Sequence, residues 1–183
     1  MVIDATCGNG FDSQVLAGIC LQGDSSKLFC IDMQSKAIET SRQRLLSTFG
    51  ADKVQNQIRF CQQSHETFPL DIDESSVDLL VYNLGYLPGT VSDGTNRVVS
   101  NATTTVLSLH AALPLMRIGG LITIMAYRGH KAGEEETNAV AELITRLPVS
   151  QWRVFAHIPL NATTGPVLFS LYRQPADNHK QKD

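Results

Sequence analysis

The sequence predicts an α/β fold, a mostly parallel sheet with helices on both faces and an antiparallel hairpin at its end. Three observations carry that prediction. Short apolar runs alternate with longer amphipathic ones along the chain. The first run, Val2 to Ala5, leads through the glycine-rich turn Thr6-Cys-Gly-Asn-Gly10 into a helical pattern. The last two runs, Trp152 to Ile158 and Pro166 to Tyr172, are joined by a link (PLNATTG) too short for a helical crossover, so they pair antiparallel.

Each element follows from its residues. After the first strand, Val15, Leu16, Ile19 and Cys20 recur at helical spacing between Asp12 and Leu21, and Gly23-Asp-Ser-Ser26 ends that helix. Lys27 to Asp32 is a second strand that closes on an acid. Ser35 to Phe49 is a helix burying Ala37, Ile38, Leu45 and Phe49, with Arg42 and Arg44 outside. Gln57 to Cys61 is a third strand, and the polar stretch Gln62 to Ser76 has room for a short helix. Val77 to Asn83 is the fourth strand, followed by an extended loop from Leu84 to Ser100. Asn101 to Met116 returns to helix, bent near its end by Pro114, and Arg117-Ile-Gly-Gly120 reads as its stop. Leu121 to Ala126 is the fifth strand. Glu134 to Leu147 is a helix whose opening glutamates suit the positive end of its dipole. Residues 1–173 form one domain, and the polar tail Gln174 to Asp183 is expected to be disordered.

The 183 residues are 43% hydrophobic and 18% charged, enough for one sizeable core. A net charge of −3 and a pI of 5.9 exclude a strongly basic nucleic-acid coat but leave room for a local basic rim. No run approaches the roughly 18 apolar residues of a membrane span, and MVIDATCGNG has no signal-peptide pattern. Cys7, Cys20, Cys30 and Cys61 form no CxxC pair; buried free thiols fit a reduced, cytoplasmic compartment. Asn101-Ala-Thr103 and Asn161-Ala-Thr163 match a glycosylation pattern by chance. The scattered histidines show no metal-ligand spacing, so no metal is expected.

In a sheet of this kind ligands bind at the carboxyl ends of the strands, near the point where strand order reverses. Asp4 ends the first strand ahead of Gly8-Asn9-Gly10, where a helix N-terminus favours anionic groups. A nicotinamide fingerprint would put its third glycine at Ser13, so that pattern is not met; a tight turn without a ligand is the other reading. Asp32 can accept hydrogen bonds from the two hydroxyls of a ribose, or it can cap the helix that starts near Ser35. Asp4, the glycine turn and Asp32 together fit S-adenosylmethionine, with its ammonium near Asp4, its ribose on Asp32 and its adenine beside Ser64 and His65. His65 alone would read as a surface-loop histidine.

The fourth strand ends Asn83-Leu-Gly-Tyr-Leu-Pro-Gly89, where Asn83 can accept from an amine and Tyr86 can stack on a base. A plain turn with Tyr86 in the core fits equally. The fifth strand ends with Tyr127, Arg128, His130 and Lys131 on the same sheet edge. Arg128 and Lys131 can bind phosphates and His130 can accept a proton or orient a substrate; solvated surface charges are the alternative.

VIDATCGNGFDS, FCIDMQ, QSHE, VYNLGYLPG, TTVLSLHAAL, RIGGLITIMAYRGHKAGEEE and LNATTGPVLFSLYR, in this order and spacing, resemble one family from Val2 to Arg173. It is the class I S-adenosylmethionine-dependent methyltransferase family of rRNA methylases and tRNA 5-(aminomethyl)-2-thiouridine methyltransferases. The resemblance implies a seven-stranded Rossmann-like sheet, S-adenosylmethionine as methyl donor, a tRNA anticodon region as substrate, and a homodimer. By its motifs, Asp4, Gly8, Asn9, Gly10 and Asp12 line the methionine part of the cofactor. Asp32, Met33 and Gln34 hold the ribose, and Ser64 and His65 the adenine side. Asn83, Leu84, Gly85 and Tyr86 form the reacting centre, with Tyr127 and His130 matching the family's Y-x-G-H segment. Asn83, Tyr86, Tyr127 and His130 are the expected catalytic residues, and Arg97, Arg128 and Lys131 the expected substrate contacts. The mechanism implied is direct in-line transfer to a neutral amine, with Cys7 a cofactor wall rather than a nucleophile.

The sequence departs from that family in places. Phe11 stands where His or Tyr is common, and the loop TVSDGTNRVVSNAT has Thr103 in place of an acid and Arg97 as its main basic residue. The chain starts inside a strand, so the family's preceding helix is expected to be missing. Alternative activities are methylation of rRNA or of a small-molecule amine, a non-catalytic S-adenosylmethionine-binding module, and a nicotinamide oxidoreductase.

Overall fold

All seven runs expected to be strands are strands. In the computed structural model, which describes residues 1–85, 101–162 and 165–175, the elements are β1 (Val2–Asp4), α1 (Phe11–Cys20), β2 (Leu28–Asp32), α2 (Ser35–Gln57), β3 (Ile58–Gln62) and β4 (Val77–Asn83). They continue with α3 (Ala102–Ala112), a 3₁₀ turn (Leu113–Leu115), β5 (Met116–Tyr127), α4 (Lys131–Thr145), β6 (Trp152–His157) and β7 (Pro166–Arg173). No helix among the described residues is long and apolar enough to cross a membrane.

The strands form one seven-stranded sheet in the order β3-β2-β1-β4-β5-β7-β6. The first five are mutually parallel, and β7 runs antiparallel to both β5 and β6. Strand order reverses between β1 and β4, which places a crevice beyond their carboxyl ends. The central strands are buried on both faces, so their sequences are continuously apolar rather than alternating. Ile3, Phe29 and Ile31 point into a core shared with Leu109, Val140 and Ile144 of α3 and α4. Val2, Leu28 and Cys30 point the other way, against Ala17 and Leu45 of α1 and α2.

Four boundaries differ from the expectation. The helix expected over 35–49 breaks at Gly50 (φ 79°, ψ 167°) and resumes to Gln57. The stretch 62–76 holds turns and no helix. α3 ends at Ala112, where Pro114 enforces a 3₁₀ turn, and Arg117-Ile-Gly-Gly120 is not a helix stop but the start of β5. Its glycines serve a bulge: the β4–β5 register shifts between Val77 and Leu79, Gly119 has φ 82°, and a Cβ on Gly120 would stand 2.9 Å from the Val77 carbonyl oxygen. Finally, α4 begins at Lys131 rather than Glu134, capped by His130.

Candidate active site

The β1–α1 turn is held from three sides. Asp4 is fully buried, and its carboxylate accepts from Ser13 Oγ at 2.5 Å and from the Thr6 amide at 3.3 Å. Burial raises its pKa to about 7, with those two hydrogen bonds opposing and Asp12 and Asp32 adding to the rise. Asp4 therefore ties the turn to α1 from inside the core and does not line the cavity beyond it, contrary to its expected contact with the cofactor ammonium. Gly10 also differs in role. At φ 79°, a Cβ there would sit 2.6 Å from Ser41 Oγ and 2.8 Å from Ser41 Cα, so this glycine admits α2 rather than a ligand. The Asn9 carbonyl accepts from Arg44 Nε at 2.8 Å, and the same guanidinium lies 3.6 Å over the Phe11 ring. Arg44, expected to be merely solvent-facing, thus clamps the turn.

Gly8 (φ 50°) turns its amide onto Asp32, donating to Oδ2 at 3.0 Å while the Gln34 amide donates to Oδ1 at 2.9 Å. The carboxylate is fixed at the end of β2, and each oxygen retains acceptor capacity. Burial raises the Asp32 pKa against these two amides and His65. His65 sits in the loop after β3, its ring edge-on to Tyr82 at 6.1 Å. Its carbonyl accepts from Ser108 Oγ at 2.6 Å, and that hydroxyl pairs with Tyr82 at 2.7 Å, so α3 and β4 together pin the loop. Burial lowers the His65 pKa, with Glu66 and Asp32 opposing, and its Nε2 is buried without a hydrogen-bond partner. Ser64 Oγ accepts from the Glu66 amide at 3.3 Å.

Asn83 ends β4 and is held twice by the β1–α1 turn. Its amide donates to Thr6 Oγ1 at 2.7 Å, and its Nδ2 donates to Asp12 Oδ2 at 2.9 Å. Leu84 is buried, and Gly85 (φ 144°) lies against Tyr127, whose ring is 3.5 Å from where a Cβ would stand. Tyr86 and Arg97, expected as catalytic and substrate-binding residues, lie outside the described residues. Beyond β5, Arg128 Nε donates to the Gly165 carbonyl at 3.2 Å, joining this strand end to the β6–β7 link. His130 Nδ1 accepts from the Gly133 amide at 3.0 Å and caps α4. That bond leaves the proton of a neutral imidazole on Nε2, so His130 can donate to a ligand but not accept from one, which narrows its expected role. Lys131 points away along α4, 3.8 Å from Glu135, and does not line the cavity.

One cavity of about 880 Å³ lies at the carboxyl ends of these strands, near the top of the range of about 300–1,000 Å³ typical of small-molecule sites. It gathers Gly8, Asn9, Asp12, Asp32, Met33, Gln34, Ser64, His65, Asn83, Leu84, Gly85, Tyr127, Arg128 and His130. Cys7 is part of the wall; burial and the nearby Asp4 push its thiol pKa up, so it is a neutral lining group. Thr6, Phe11, Thr104 and Pro166 also line it and were not expected. Thr6 carried a legible signal, a polar residue at the end of an apolar strand. Thr104 did not: it arrives with the α3 N-terminus, where Asn101 and Thr104 form a capping box. The fixed acceptors of Asp32 and the orphaned Nε2 of His65 suit a polar nucleoside, whose hydroxyls and base could satisfy both.

Residues 28–173 match the protein family described as "Putative rRNA methylase". A relative from Arabidopsis thaliana, described as tRNA (mnm(5)s(2)U34)-methyltransferase, chloroplastic, is 32% identical over 177 residues, 94% of this chain. The chain spans 63% of that relative's length. Among solved structures, an rRNA-methylase-type protein from Clostridium thermocellum superposes with a TM-score of 0.81 at 30% identity, covering 94% of this chain and 87% of the other. A methyltransferase-type protein from Streptococcus mutans, in complex with SAH, superposes with a TM-score of 0.76 at 26% identity over 94% of this chain and 87% of the other.

Proposed function

Because the chain belongs to the family described as "Putative rRNA methylase", a family of S-adenosylmethionine-dependent methyltransferases, we propose that this enzyme methylates the aminomethyl nitrogen of a 5-aminomethyl-(2-thio)uridine at the wobble position of tRNA. The observation supporting this reading is that Asp32 and Asn83 open onto one cavity, joined by the same β1–α1 turn. The relative named for the tRNA activity supports the substrate class.

When bound, S-adenosylmethionine supplies an electrophilic methyl group on a sulfonium. Asp32 accepts from the ribose hydroxyls, and Gly8 and Gln34 keep its carboxylate oriented. Ser64 and His65 face the adenine side. Asn83 Oδ1 accepts a hydrogen bond from the substrate amine, turning its lone pair toward the methyl group. Tyr127 closes the wall against Gly85, and Arg128, which lines the same cavity, is the cation offered to an RNA phosphate. Little acid–base work is needed, because an amine that arrives neutral attacks with its own lone pair and releases its proton afterwards. The protein works as a homodimer, which light scattering of the purified chain tests. Four free thiols support a reducing, cytoplasmic setting.

Incubation with S-adenosylmethionine and tRNA bearing 5-aminomethyl-2-thiouridine, followed by nucleoside mass spectrometry, tests the reaction. One added methyl on that nucleoside is the expected outcome. Methylation of rRNA or of a free amine, with the tRNA nucleoside unaltered, would overturn the assignment of substrate.

A further inference from the structure

The geometry points to Asp12 as a positioning residue that sets which face of the Asn83 amide is presented to the methyl acceptor. This inference rests on the proposed role of Asn83 and goes beyond it. A primary amide has two faces of similar shape and opposite chemistry, a carbonyl that accepts and an NH₂ that donates. With Oδ1 toward the amine, the substrate N–H is held and its lone pair stays free. With Nδ2 toward the amine, the side chain would hydrogen-bond to the very lone pair that must attack. The choice between the two decides whether Asn83 helps or blocks.

Asn83 is exposed at the end of β4, so close packing among the described residues does little to distinguish two orientations of the same shape. Two bonds from the β1–α1 turn supply what packing does not. Thr6 Oγ1 accepts the Asn83 backbone amide at 2.7 Å and fixes where the side chain starts. Asp12 Oδ2 accepts Nδ2 at 2.9 Å, and a carboxylate has no proton to offer the opposite orientation. A hydrogen bond to an ionised acceptor biases such an equilibrium by about tenfold or more. Because Gly8 of the same turn holds Asp32, the nucleoside ligand and the amide that receives the acceptor are oriented by one short segment. The Asp12 carboxylate, assigned by family resemblance to the methionine part of the cofactor, is already engaged on Asn83.

Asp12→Ala and Asp12→Asn separate these roles. An orienting acceptor predicts that Asp12→Ala lowers kcat about tenfold or more with SAH affinity, read by calorimetry, within about threefold of wild type. Asp12→Asn should not restore that loss in full, since its amide can donate to Asn83 Oδ1 as readily as it accepts from Nδ2 and so holds the side chain without choosing its orientation. If Asp12 instead pairs with the cofactor ammonium, both variants lose SAH affinity alike, and that result overturns the inference. Side-chain amide NMR supplies an arm independent of turnover. One Asn83 Nδ2 proton should resonate downfield in the wild type and move upfield in Asp12→Ala, and an unchanged signal overturns the anchor. Absence of methylation by the wild type on the tRNA substrate counts against the proposed function, while the NMR arm still decides the anchor.

Discussion

Asp4 shows how a motif residue can be correct in position and different in purpose. Its carboxyl is engaged inside the core by Ser13 and Thr6, and burial raises its pKa to about 7, against about 3.9 in an unfolded chain. Between those values the folded state holds a proton that the unfolded state has released. The stability this contributes is complete below pH ~4 and is lost as the pH rises through ~7, an effect on the order of 4 kcal/mol. Asp4→Asn keeps the shape and most of the hydrogen bonding but removes the titration. Urea unfolding at pH 4.5 and pH 7.5 should therefore show wild-type stability falling with pH by a few kcal/mol more than that of Asp4→Asn. Equal slopes in the two proteins would mean that Asp4 folds as an ordinary ionised acid. Asp32, equally an acid at a strand end, differs because two backbone amides meet its oxygens at the cavity wall; spacing alone could not tell these two environments apart.

At the scale of elements, glycines decide most of what departs from expectation. Gly10 and Gly50 share φ 79° and differ in surroundings: Gly10 meets Ser41 Cα at 2.8 Å, whereas nothing lies within 4 Å of a Cβ on Gly50. Alanine at Gly50 incurs backbone strain alone, about 1–3 kcal/mol, because φ 79° with ψ 167° is a region open almost only to glycine. Alanine at Gly10 adds a collision between α1 and α2, for a total of about 2–5 kcal/mol. Ser41→Ala should not rescue it, because the obstacle includes the Cα of α2 and not the hydroxyl alone. Denaturant midpoints of Gly10→Ala, Gly50→Ala and the Gly10→Ala/Ser41→Ala pair check this order. Restoration by Ser41→Ala would show instead that only the hydroxyl stands in the way. The same residue type misled at Gly119-Gly120, where the local pattern of a helix stop belongs to a bulge. That bulge exists only once β5 pairs with β4, so no local reading of RIGG could contain it.

For the molecule as a whole, sheet order and site location were legible because both follow from strand ends. The alternation of elements implies the parallel sheet, the short final link implies the antiparallel hairpin, and the crevice follows from where strand order reverses. What was not legible depends on distant pairings: Asp12 on Asn83, Arg44 on Asn9, Ser108 on His65. Each of these pairings ties a helix to a turn, strand end or loop along the carboxyl edge of one sheet, whose two faces carry separate apolar clusters. If the sheet couples them, the chain unfolds as one unit. Trp152 reports on this well, being 5% exposed in β6 at the far edge from the Gly10 turn. Gly10→Ala should shift the urea midpoint seen by Trp152 fluorescence as much as that seen by far-ultraviolet circular dichroism. A Trp152 transition that stays in place while the helical signal moves would divide the sheet into two cooperative units. In that case strain at the β1–α1 turn would remain local to α1, α2 and the strands they cover, and the β5–β7–β6 edge would fold on its own terms.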